Sequence, residues 1–286
     1  MSDDLDPRLF AFRPDLAESG LEGQVKAARF FEGEPAHVIS PVVDVRPRPD
    51  HQSSISTQLL YGENVQVFDR HEGWAWVKNQ ADSYVGYVSD AALATGASQS
   101  THVVIGPRTF IYSGPDMKLP IGQAVSMGSR LSIVSETTTR STRFLVLENG
   151  SAVVASHCRA LDAQSNIDAV GVASLFLETP YLWGGRSGFG IDCSGLVQLA
   201  LAMTGKSAPR DSDQQAAGLG QPIDPDIDGL QRGDLVFWKG HVALVEDNDL
   251  ILHASGATMW VTREKREDAI ARIRPHYGEP TGYRRP

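Results

Sequence analysis

A single thiol at the start of a helix and two imidazoles flanking one turn are the residues of this chain whose types and spacing can do chemistry. Cys193 stands where a glycine-rich stretch, Thr179 to Asp192, gives way to a helical pattern, with Leu196, Val197, Ala200 and Leu201 following at i+3, i+4, i+7 and i+8. That spacing predicts a buried helix carrying the thiol in its first turn, where unpaired backbone N–H groups favour a thiolate. His241 opens the run His241-Val-Ala-Leu-Val-Glu246, and His253 closes Leu250-Ile-Leu-His253. Between them, Asp247-Asn248-Asp249 reads as a three-residue turn. It pairs Glu246 with Leu250 and Ala243 with His253, so His241 shares a face with His253 as its diagonal neighbour. A two-residue turn would slip the register and send the imidazoles to opposite faces.

A nucleophilic thiol needs one imidazole to take its proton and a further polar group to orient that imidazole. Cys193, His241 and His253 supply these three functions. Cysteine and two histidines can also hold zinc. The chain offers no C-x-x-C or H-x-x-x-H unit around them, so thiol catalysis is the preferred reading and neither metal nor cofactor is expected. Cys158, the other cysteine, is expected to be packing.

The elements that must position these groups follow from the pattern. Helices are expected at Asp168–Glu178, ended by Pro180, at Cys193–Met203, stopped at Gly205, and from Asp211 or Ser212 to Ala217. Strands are expected at 234–238, 241–245 and 250–253, giving an α+β domain. Upstream the texture is of short strands separated by turns, in two regions of similar length that suggest a divergent tandem repeat of small β-barrels. Residues 1–35 read as an N-terminal arm with short helical pieces. The expected organisation is therefore 1–35 helical arm, 36–97 first barrel, 98–162 second barrel and 163–286 catalytic domain.

With 41% hydrophobic and 21% charged residues the chain is ordinary for a globular protein. A net charge of −9 argues against nucleic acid and anionic membrane as partners. The acidic start Met1-Ser-Asp-Asp-Leu-Asp-Pro7 lacks the basic and apolar regions of a secretory signal. With only two cysteines, the expectation is a cytoplasmic location.

The motifs Pro180-Tyr-Leu-Trp-Gly-Gly185, Asp192-Cys-Ser-Gly195, Pro209-Arg-Asp-Ser212, Arg232-Gly-Asp-Leu-Val-Phe237, His241-Val-Ala243 and Leu252-His-Ala254 resemble, in order, those of the NlpC/P60 cysteine peptidases. The likeness runs over about residues 165–285. The β-rich regions resemble the bacterial SH3-type domains that often precede such peptidases, and the plan is similar to γ-D-glutamyl-L-diamino acid endopeptidases with two of them. The resemblance implies two SH3-like barrels followed by an α+β, papain-like catalytic domain. It implies hydrolysis of the γ-D-glutamyl–diamino acid bond of peptidoglycan stem peptides, with Cys193 attacking, His241 as base and His253 orienting it.

It further implies that Asp192 binds the free N-terminal amine of an L-Ala-γ-D-Glu-diamino acid peptide and that Tyr84, from the first barrel, helps close that end of the site, as in relatives that recycle wall peptides. Asp192 is also placed to cap the helix. Some relatives add a glutamate from the first barrel, but residues 51–60 contain no acidic side chain. Tyr181 is expected near the oxyanion, and it and Trp183 can alternatively pack the glycine loop. Ser194, Arg210 and Ser212 are expected to contact substrate. Arg210 would take a substrate carboxylate or else pair with Asp211 or Asp213. The other functions to weigh are an exported wall hydrolase, a wall-binding protein with a vestigial peptidase, and acyl transfer by the same thiol.

Overall fold

The computed structural model describes residues 5–286, and the chain divides into two compact units, Met1–Asp162 and Ala163–Pro286. The first unit holds two barrels of matching topology. In the first, Glu34–Val38 pairs with Leu93–Thr95 and with Asn64–His71. Val42–Val45 and Thr57–Leu60 form a hairpin, and Asn64–His71, Trp74–Asn79 and Val85–Ser89 form a meander. In the second, His102–Val104 pairs with Cys158–Ala160 and Arg130–Leu131, Arg108–Tyr112 pairs with Ile121–Ser126, and Ile133–Thr139, Thr142–Leu147 and Ala152–Val154 make the meander.

Alternation explains the first barrel's core. Val65, Val67, Ala75 and Val77 point inward with Ala36, Val45, Leu59 and Tyr84. Trp76 and Phe68 face the other way, where Ala11 and Leu16 of the N-terminal arm cover them. The arm is therefore a brace, not the helical piece expected for residues 1–35. Among the described residues its one helical segment is a 3-10 turn at Ser19–Leu21, and Ala17–Glu18 pairs in parallel with Phe30–Phe31. Pro14, Gly20 and Gly23 interrupt any longer helix. Arg13 lies 4.4 Å over the Trp76 ring and pairs with Asp69 at 2.6 Å, and Lys78 pairs with Glu18 at 2.8 Å. The first four residues of that expectation lie outside the described residues.

The two barrels meet at Gly62, whose φ of +77° and whose approach to Arg130 leave no room for a Cβ, which would fall 2.0 Å from the Arg130 carbonyl oxygen. Cys158 packs half-buried against the second core, and burial pushes its thiol up to about 12, so it is inert at neutral pH.

The second unit is an antiparallel sheet with helices. Its helices are α1 (Ala169–Ser174), α2 (Cys193–Met203), α3 (Ser212–Gly218), α4 (Pro225–Asp228) and α5 (Arg266–Tyr277). Its main strands are β1 (Gln221–Ile223), β2 (Leu235–Trp238), β3 (His241–Val245), β4 (Leu250–Ser255), β5 (Trp260–Lys265) and β6 (Gly282–Arg285), in the order β1-β6-β2-β3-β4-β5. α2 packs on β3 and β4 and against α1, and almost every residue of α2 is buried. α1 is shorter than expected: Asp168 caps it, but turns follow Ser174, and Glu178 takes a positive φ of 62° ahead of Pro180.

Candidate active site

The thiol is set by the way α2 begins. Asp192 caps the helix by accepting the Gly195 N–H at 2.7 Å on Oδ1, and its Oδ2 accepts the Gly184 N–H at 2.9 Å. Gly195 has to be glycine, because a Cβ would fall 2.4 Å from the Gly185 carbonyl oxygen. Arg210, only 1% exposed, completes the frame. Its guanidinium donates to both Asp192 oxygens at 3.0 and 2.7 Å, to Ser194 Oγ at 2.9 Å and to the Gly185 carbonyl at 3.3 Å. The first turn of α2 is thus clamped to the glycine loop by a buried, bidentate ion pair.

This corrects two expectations. Arg210 pairs with Asp192, and its guanidinium, buried in that pair, is held away from a substrate carboxylate. Ser194 is likewise turned into the frame, 6% exposed, with its hydroxyl donating to Asp192 at 3.3 Å while accepting from Arg210. Ser212 opens α3, half-buried. Tyr84 belongs to the first unit, where its ring is part of the first barrel's core.

The imidazoles come from neighbouring strands. Leu244 pairs with Leu252 and Val245 with Ile251, which is the register that sets Ala243 opposite His253. His241 Nε2 lies 2.7 Å from His253 Nδ1, with the rings 5.0 Å apart and edge-on. On the far side, His253 Nε2 lies 2.9 Å from Oε1 of Glu264 on β5, and Glu264 pairs in turn with Arg272 of α5. Sequence reasoning missed Glu264. The strand that carries it, Trp260-Val-Thr-Arg-Glu-Lys265, alternates too weakly to stand out among charged residues.

Backbone N–H groups of Val242 and Ser194 are directed at the Cys193 sulfur. They work against burial and the Asp192 charge, which together push the thiol up to about 12. Burial, helped by His253 and Arg272, holds His241 down at about 3. The resting pair is therefore a neutral thiol and a neutral imidazole: burial outweighs the helix N-terminus that was expected to favour a thiolate. Burial, with Cys193 and Asp192 nearby, also raises the Tyr181 phenol, which stays protonated as a donor beside the thiol. Trp183, by contrast, is 66% exposed.

The buried neutral imidazole makes stability pH-dependent. Its folded pKa of about 3 lies below the ordinary 6.5, so above pH 6.5 its contribution is fully present. As pH falls from 6.5 towards 3 the unfolded chain takes up a proton that the folded one refuses. Stability then drops by up to ~1.4 kcal/mol per pH unit from this group. Urea unfolding of His241→Gln between pH 7 and pH 4.5 is expected to show a shallower loss than the parent chain; equal slopes would contradict this.

Both units have counterparts among known proteins. Residues 45–93 match a profile described as the bacterial dipeptidyl-peptidase Sh3 domain, and residues 178–273 match the NlpC/P60 family. The chain is 30% identical over 241 residues to dipeptidyl-peptidase 6 of Lysinibacillus sphaericus, covering 77% of this chain and 87% of that protein. It is 28% identical over 222 residues to the gamma-D-glutamyl-L-lysine dipeptidyl-peptidase of Bacillus subtilis, covering 70% and 72%. An NlpC/P60 family protein from Bacillus cereus shares the fold, with a TM-score of 0.72 at 24% identity over 88% of this chain and 99% of that one. Similarity carried through both units, with the family profile spanning the thiol and both imidazoles, establishes that this chain belongs to the NlpC/P60 family of cysteine peptidases.

Proposed function

We propose that this peptidase cuts the γ-D-glutamyl–diamino acid bond of peptidoglycan stem peptides, acting in the cytoplasm on free peptides with an unblocked N-terminal L-Ala. The observation that carries the reading is the hydrogen-bonded pair His241–His253, 2.7 Å apart, on strands packed against the helix that begins at Cys193. Cys193 gives its proton to His241 Nδ1 as the sulfur bonds to the peptide carbonyl carbon. The carbonyl electrons move to oxygen, held by backbone N–H groups near Cys193 with the Tyr181 hydroxyl close by. Collapse breaks the C–N bond, and the leaving amine takes the proton from His241. Water, deprotonated by the same imidazole, then releases the thioester and restores the thiol.

Selectivity for a free amine rests on Asp192. A carboxylate at a closed end of the site adds a charged hydrogen bond to an ammonium, and that bond is lost when the amine is acylated. The test compares L-Ala-γ-D-Glu-diamino acid with its N-acetylated form. The expected preference in kcat/KM is about 10- to 100-fold for the free peptide, the cost of one unmade charged hydrogen bond. Equal rates would overturn the free-amine claim and leave the peptidase. That outcome would favour a hydrolase of intact peptidoglycan, a reading supported by Arg210, which already matches the Asp192 charge.

A further inference from the structure

We propose that Glu264 is a positioning residue for the reaction: it fixes the tautomer of His253 and, through it, the tautomer of His241, so that His241 presents an unprotonated Nδ1 to Cys193. This rests on the reading of Cys193, His241 and His253 as the reacting set.

Three side chains in a line leave one consistent placing of the protons among them. His253 faces Thr262 across β4 and β5, and Glu264 lies two residues beyond Thr262, on the same face. His241 lies two residues from Ala243, in the opposite direction along the sheet. The three side chains therefore cross β3, β4 and β5 on a diagonal, with His253 between the other two. His253 is 1% exposed, so water does not decide its tautomer. An ionised carboxylate only accepts, and Glu264 Oε1 stands 2.9 Å from His253 Nε2, at an ion-pair distance outside good hydrogen-bond alignment, so its charge draws the hydrogen of His253 to Nε2. Nδ1 of His253 is then an acceptor, and His241 Nε2, 2.7 Å away, must donate to it. A neutral His241 whose hydrogen is on Nε2 has its lone pair on Nδ1. Without Glu264, His253 could hold its hydrogen on Nδ1, and the line would run backwards.

The carboxylate is suited to this. Burial raises its pKa, but its bonds to His253 and Arg272 outweigh burial and hold it below the usual range. The charged and titratable groups that act on His241 are His253 from β4, Glu264 from β5 and Arg272 from α5, while the Asp192–Arg210 pair acts on the Cys193 thiol. Of these, Glu264 raises the basicity of His241 and Arg272 lowers it.

The test compares Glu264→Gln, Glu264→Leu and Arg272→Met in the full chain, with kcat, KM and the pH profile of kcat/KM on the free tripeptide. Glu264→Leu is expected to lower kcat by about 10- to 100-fold with KM unchanged, since the base loses its orientation and not its substrate. Glu264→Gln, whose carbonyl can accept the same hydrogen, is expected to recover most of that loss. The acid limb is expected to move to lower pH in both Glu264 variants, and to higher pH in Arg272→Met. If Glu264 only tied α5 to the sheet, Glu264→Leu and Arg272→Met would act alike and leave the acid limb in place, which would overturn the proposal. If Glu264→Leu does not fold, Glu264→Gln carries the test: an unmoved acid limb overturns it. A Cys193→Ala control separates the two readings. Turnover in Cys193→Ala would remove the reacting set itself. An inactive Cys193→Ala beside a Glu264→Leu of parental rate and profile would remove only the positioning role.

Discussion

Replacing Arg210 by methionine is expected to destabilise the folded chain by about 3–5 kcal/mol. The methionine roughly keeps the volume but not the charge. Asp192 would remain with its side chain only 10% exposed, its carboxylate having lost two guanidinium bonds, while Ser194 Oγ and the Gly185 carbonyl would each lose a donor. Breaking one side of a buried pair strands the other charge, which costs far more than the pair itself contributes. Against a typical total of about 5–15 kcal/mol, the effect should be plain in urea unfolding. A second substitution, Asp192→Asn, made in the Arg210→Met background should restore part of the loss, because it removes the stranded charge. A loss below about 1 kcal/mol would mean that the frame around α2 does not depend on this pair.

The second large effect concerns rate. Cys193→Ala removes the one atom that can form the thioester, and His241→Ala removes the group that takes its proton. Because the resting thiol is neutral, with burial pushing it up to about 12, the nucleophile cannot rely on a standing thiolate. It has to be deprotonated by His241 as substrate engages. Loss of either partner should therefore lower kcat by at least about 10⁴-fold, and the double variant should lose little more, as expected of groups that act as one unit. The alanine at 193 replaces a small, buried side chain in a capped helix turn, so folding should change by less than about 1 kcal/mol.

The reactive hairpin could be read from residues alone because turn length sets register. Asp247-Asn248-Asp249 left one pairing that put both imidazoles on one face, and β3 and β4 adopt it. The helix start at Cys193 was equally legible, since the apolar spacing and the capping Asp192 coincide. Contacts between residues far apart in the chain were not. Arg210 has acidic neighbours at 211 and 213, yet it reaches back to Asp192, and only the fold brings those two together. Glu264 was hidden for a similar reason. α5 buries little beyond Ala269 and Ile273, so neither it nor β5 announces itself by periodicity. In the N-terminal arm, short helical pieces were expected, but Ala11 and Leu16 serve as contacts on the outer face of the first barrel, and Ala17, Leu21 and Val25 form a small cluster within the arm. Periodicity there reported burial, not the conformation that achieves it.

Side-by-side turnover of the free L-Ala-γ-D-Glu-diamino acid peptide by the parent chain and by Cys193→Ala, at matched folded concentration, tests the central claim most directly. The expected result is release of the diamino acid by the parent, with a rate at least about 10⁴-fold lower in the variant. Release by Cys193→Ala within tenfold of the parent would show that the thiol at the start of α2 is not the nucleophile.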